Sequence, residues 1–146
     1  MKYQKVLYKY VLFDNFQIQL AHTRVPDTIS TEHFTLMPDG MVYGNKGYAW
    51  DGPSGPTIDT AAALIASIPH DILYQCHRMG YPINRKDADE DYRDILLGHG
   101  VSQIRALIHY RVLRRVGWLA AAPKQDGHYE IIDAVGGGLD TVWVPR

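Results

Sequence analysis

Hydrophobic and polar positions follow two different rhythms along this chain, and the change falls near residue 60. Before it, apolar and aromatic residues come in short runs broken by turn formers. After it, they recur at three- and four-residue intervals. Residues 5–13 (KVLYKYVLF) and 16–21 (FQIQLA) are rich in β-branched and aromatic side chains and are separated by Asp14 and Asn15, which predicts two strands joined by a tight turn. Residues 33–37 (HFTLM) and 41–50 (MVYGNKGYAW) flank Pro38, Asp39 and Gly40. Asp-Gly tolerates the positive φ of a hairpin turn, so a second pair is expected there. Val25, Pro26 and Asp27 fall in the connection, because proline cannot donate to a central ladder.

Residues 50–60 (WDGPSGPTIDT) hold two Gly and two Pro and read as a rigid, irregular loop. Thr60 can cap the helix that follows, whose opening (AAALIASI) is apolar or small all round, so it should be covered on most sides. Pro69 predicts a kink or a fresh first turn, and Gly80 ends the helix near Met79. Asn84 caps a second helix with an apolar stripe of Ala88, Tyr92, Ile95 and Leu96, closed by Gly98 and Gly100. Ser102 starts a third (QIRALIHYRVLRRV), which Gly117 is expected to end. The expected fold is α+β: N-terminal antiparallel β hairpins packed on a three-helix C-terminal unit with a central first helix. Within one domain, 1–146, a β-rich part covers 1–50, a Gly/Pro loop 51–60, a helical part 61–118, and an irregular tail with a possible strand 119–146.

Composition adds boundaries. A chain of 146 residues supports a single sizeable core, and 46% hydrophobic with 21% charged residues is ordinary for a globular domain. A net charge of −1 gives no reason to expect nucleic acid. Cys76 is the only cysteine, so no intrachain disulfide partner exists and a reducing compartment is expected. The opening residues mix lysines and tyrosines into the apolar run, resembling neither a signal-peptide core nor a spanning helix, and the expectation is a soluble, intracellularly made protein.

Candidate chemistry lies in residues 67–75 (SIPHDILYQ). At about 100° per residue, His70, Tyr74 and His77 share a face with Ala63 and Ser67, while Ile65, Ile68, Ile72, Cys76 and Met79 lie nearly opposite. Asp71 points toward other neighbours than His70 does. A His at a cleft can take a proton from water, best when a carboxylate orients the ring. On the second helix Asp89 and Asp91 flank the apolar stripe on opposite edges, and periodicity does not choose between them. Asp71 suits a hard cation if the irregular backbone at 52–55 adds carbonyl oxygens, a set that favours calcium over zinc.

The run from YAWDGPSGPTIDT through HDILYQ, NRKDADEDY and RVLRRVG, most of residues 47–118, resembles a family of small uncharacterised bacteriophage and prophage proteins, a domain of unknown function. Within it, His70-Asp71-x-x-Tyr74 followed by Ala88-Asp89-x-x-Tyr92 is similar to the core of calcium-dependent phospholipases of the A-two type. The resemblance implies a hydrolase of phospholipid esters with His70 as base, Asp89 and Tyr74 holding it, and calcium on Asp71 and the loop of Gly52, Ser54 and Gly55. It favours Asp89 over Asp91. The usual disulfide framework is absent, the glycine spacing in DGPSG is one residue longer than the common calcium loop, and the connection from His70 to Asp89 is short. A symmetric antiparallel helix pair turning near Pro82 sets Asp89 opposite Tyr74 and about one turn short of His70.

Simpler readings stand beside these. His70, Asp71 and Tyr74 would also serve as a buried polar clamp in a non-enzymatic virion or assembly component. Arg85, Asp89 and Arg93, spaced i, i+4, i+8, make an ion-pair row without further function. Arg111, Arg114 and Arg115 beside Trp118 suit either an anionic lipid surface or a solvated face, the second being the simpler expectation. Expected partners are therefore a phospholipid or membrane surface, or other phage structural proteins, in host cytoplasm or virion.

Overall fold

The computed structural model describes the backbone of residues 3–6, 9–50, 52–53, 60–121, 127–132 and 139–144, and side chains within 10–50, 52–53 and 60–117. In chain order the elements are β1 (Tyr3–Val6), β2 (Lys9–Leu12), β3 (Phe16–Gln19), β4 (Ile29–Ser30), β5 (Phe34–Leu36), β6 (Met41–Gly44) and β7 (Ala49–Trp50), then α1 (Ala61–Arg78), α2 (Arg85–Gly98) and α3 (Gln103–Ala121), and last β8 (Gly127–Ile132) and β9 (Leu139–Val144). Antiparallel sheets thus precede three helices, the α+β arrangement expected.

Strand pairing differs from expectation at the N-terminus. Residues 5–13 are not one strand: β1 folds back on β2 with Val6 opposite Lys9, and β7 adds to the other edge of β2, Tyr10 opposite Trp50. β3 pairs instead with β6, in a second sheet ordered β3-β6-β5-β4. Asp14 and Asn15 therefore form a step between sheets, where the Asn15 Oδ1 accepts the Lys46 N–H at 2.9 Å. Alternating patterns do not distinguish one nine-residue strand from two short ones with no Gly or Pro in the sequence between them. The hairpin at Pro38–Gly40 forms as expected. Gly40 has φ 89°, and a Cβ there would lie 2.7 Å from the Thr23 carbonyl oxygen.

Both sheets bury side chains against α1. Leu12, Phe34, Leu36, Tyr48 and Trp50 meet Leu64, Ile68, Ile72 and Leu73, each worth roughly 1.5–3 kcal/mol of apolar burial. Cys76 is fully buried in this core, and burial pushes its thiol up to about 12. The other side of α1 offers Ala63 and Ala66 to Tyr92 and Leu96 of α2 and to Ala106 and Leu113 of α3. α1 is therefore central, as its composition implied. Thr60 caps it, the hydroxyl accepting the Ala63 N–H at 3.2 Å.

One helix expectation is narrowed and one needs correction. Of the two outcomes expected at Pro69 the fresh first turn does not occur: α1 continues from Ala61 to Arg78, because tertiary burial on both sides outweighs one lost hydrogen bond. α3 does not stop at Gly117 but continues to Ala121. A Cβ at 117 would collide with the Tyr74 hydroxyl, so this glycine permits close approach of α3 to α1. The tail carries two strands where one was expected, β8 and β9 pairing antiparallel with Gly127 opposite Val144. The Gly run at 136–138 lies outside the described residues.

Candidate functional site

One carboxylate organises the helical half. Asp89, on α2, is fully buried, and its Oδ1 lies 2.8 Å from His70 Nε2 and 2.6 Å from the Tyr74 hydroxyl. His70 and Tyr74 stand one turn apart on α1 with ring centroids 4.2 Å apart, so a single oxygen reaches both. The expected shortfall of one turn does not occur. Asp89 Oδ2 accepts from Arg114 Nη1 at 2.8 Å, and Arg85 Nη2 approaches it at 4.0 Å. Arg85 Nε also donates to the Tyr74 oxygen at 3.2 Å.

The electrostatics follow from these contacts. Burial alone would raise the Asp89 carboxyl, but the hydrogen bonds from His70, Tyr74 and Arg114 and the positive charge of His70 outweigh it and hold it below the usual range. An ionised Asp89 makes His70 Nε2 the donor. The lone pair of a neutral imidazole then sits on Nδ1. Burial, and next the Asp89 carboxylate, drive the Tyr74 phenol far above its ordinary value, so it remains a donor. Arg114 is raised in turn by its hydrogen bond to Asp89.

Ring and hydroxyl contacts continue outward from His70. The Tyr92 ring meets His70 edge-on at 5.4 Å, and its hydroxyl lies 3.3 Å from His109 Nδ1. Burial, then the charge of Arg105, lower the His109 imidazole. Asp91 takes no part: its carboxylate accepts the N–H groups of Ala21, His22 and Thr23 at 2.8–3.0 Å and the Thr23 hydroxyl at 2.6 Å. Asp89 rather than Asp91 is thus the carboxylate brought to His70. The expected ion-pair row is half formed, since Arg93 turns to Asp94 at 3.2 Å.

Of the residues expected to hold calcium, Asp71 and Gly52 are described, and Ser54 and Gly55 lie outside the described residues. Asp71 is half-buried on another side of α1 from His70, where its charge reinforces the effect of burial in raising the Tyr48 phenol. Gly52, with φ 82°, packs against the Tyr10 ring. Tyr10 and Tyr48 both contact Trp50, at centroid distances of 5.5 and 6.5 Å. Among the described residues no three His, Cys, Asp or Glu side chains gather at a metal-sized point.

Reading the sequence for chemistry missed Arg114, assigned there to the outer face of the third helix. The available signal was Gly117, three residues on and on the same side, inside an otherwise helical pattern. Comparison of the chain with family models, curated proteins and solved structures finds no match in any of the three.

Proposed function

We propose that this is a phage-type hydrolase of phospholipid esters in which His70 is the general base. The observation that carries the reading is the bond between His70 Nε2 and a buried, ionised Asp89, which leaves Nδ1 as the basic nitrogen. In the proposed step Nδ1 takes a proton from water while the oxygen attacks the ester carbonyl. Asp89 stabilises the imidazolium, which then returns the proton to the departing alcohol oxygen. Tyr74 and Arg114 fix the carboxylate and so act as positioning residues. Asp71, with the carbonyls of Gly52, Ser54 and Gly55, would supply oxygen donors of the kind a hard cation takes. Calcium bound there would polarise the ester carbonyl.

A second reading has its own support. His70 is 6% exposed, and two arginines converge on Asp89, as in a structural clamp of a non-enzymatic virion or assembly component. The test is hydrolysis of mixed phospholipid micelles with calcium or with chelator, comparing the wild type with His70→Ala and Asp71→Asn. Turnover that requires calcium, His70 and Asp71 supports the hydrolase. Absence of such turnover in a folded protein leaves the clamp.

A further inference from the structure

From the outer face of α3 we infer a docking surface for anionic membrane lipid. Ile104, Leu107 and Ile108 are 74%, 42% and 53% exposed, an unusual load of large aliphatic surface for one helix. At about 100° per residue, Ile104 and Ile108 lie on the same side as Arg111 and Arg115, opposite the buried Ala106 and Leu113. Arg105 is exposed at the border of that side.

The charge on this helix has one sign. Residues 103–121 contain four arginines and neither Asp nor Glu, although the whole chain has a net charge of −1. Arg114 is committed to Asp89, which leaves Arg105, Arg111 and Arg115 displayed beside the exposed isoleucines. Aliphatic side chains that enter the acyl boundary, together with cations at headgroup level, are the two contributions that hold an amphipathic helix flat on an anionic bilayer. The helix lies on the surface in this arrangement, since no described helix is long and apolar enough to cross a membrane.

An adjoining cleft points to the same occupant. A groove of about 670 Å³ runs between the start of α1, the end of α2 and the first half of α3. Ala62, Leu96, Val101 and Ile108 give it apolar walls, and Arg105 with His109 supplies the polar edge. Among the described residues no carboxylate lines it, so an acyl segment with an anionic head matches both parts.

The test is sedimentation of the full chain with vesicles of phosphatidylcholine, alone or mixed with phosphatidylglycerol, in chelator so that no turnover intervenes. Binding should require phosphatidylglycerol and weaken with added salt. Ile104→Asp with Ile108→Asp, and separately Arg111→Glu with Arg115→Glu, should each lower it roughly tenfold or more. These side chains are exposed, so the variants should remain folded, and circular dichroism is the check on that. Equal binding to both vesicle types, or unaltered binding by either double variant, would overturn the inference. So would a concentration-dependent dimer, or binding to an acidic protein, that is lost in Ile104→Asp while vesicles are ignored. None of the tested residues belongs to the His70 cluster. His70→Ala should therefore bind vesicles normally, and failure of the hydrolase reading is distinguishable from failure of this one.

Discussion

Asp89 is a fully buried carboxylate with His70, Tyr74 and Arg114 in hydrogen-bond contact, and its charge is what those three share. Removing one member of a buried ion pair costs ~3–5 kcal/mol because the other charge is stranded. Here Arg114 and Arg85 keep partial water access, with side chains 35% and 23% exposed, so Asp89→Asn should fall at the lower end, about 3 kcal/mol. Urea unfolding checks this: the midpoint should drop at unchanged m, and a loss under about 0.5 kcal/mol would refute it. Because the folded carboxyl titrates below its ordinary 3.8, its stabilisation is complete above that value and is lost as pH falls through the folded one. Asp89→Asn should therefore flatten the acid limb of a stability profile taken from about pH 5 to 2. Little of this partner set is legible in a sequence. His70 and Tyr74 share a face by period alone, but which carboxylate reaches them depends on how α2 slides along α1. Periodicity left Asp89 and Asp91 equivalent, and tertiary packing separates them.

At the scale of elements, glycine in α3 tests how closely two helices are held. Gly117→Ala gains up to ~1 kcal/mol of helix propensity, yet it drives a methyl into the Tyr74 hydroxyl, an overpacking cost of ~1–3 kcal/mol. The net effect should be destabilising. Tyr74→Phe removes the obstructing oxygen, so Gly117→Ala should cost measurably less in that background, and a double-mutant cycle reads the difference. Additive effects would show that α3 does not press on Tyr74. The helices themselves were legible because Thr60 and Asn84 cap two of them, as their side-chain bonds to Ala63, Lys86 and Asp87 show. Gly117 was misread for a physical reason: a glycine that terminates a helix and one that admits a neighbour look alike without the neighbour. The N-terminal strands were hardest, since the sequence between β1 and β2, Leu7 and Tyr8, contains no Gly, Pro, Asn or Asp.

The whole molecule depends on joints between its β and helical parts. Asp91 is one: from α2 it accepts four hydrogen bonds from residues 21–23, the segment that follows β3. Asp91→Ala should leave those donors unsatisfied, cost ~2–4 kcal/mol and speed amide exchange at Ala21, His22 and Thr23 ahead of the α1 core. Exchange rates there equal to the wild type would rule the joint out. A second joint is the Trp50 indole, donating at 2.8 Å to Ser67 on α1. Between such joints lies Cys76, the single thiol of the chain, buried and raised to about 12. It is nearly all protonated and shielded at neutral pH, whereas the same thiol in an unfolded chain meets solvent with an ordinary acidity. A disulfide reagent such as dithionitrobenzoate will consequently label this protein only through opening of its central helix. The native chain thus contains its own reporter site for unfolding, one that reads each variant above without an engineered label.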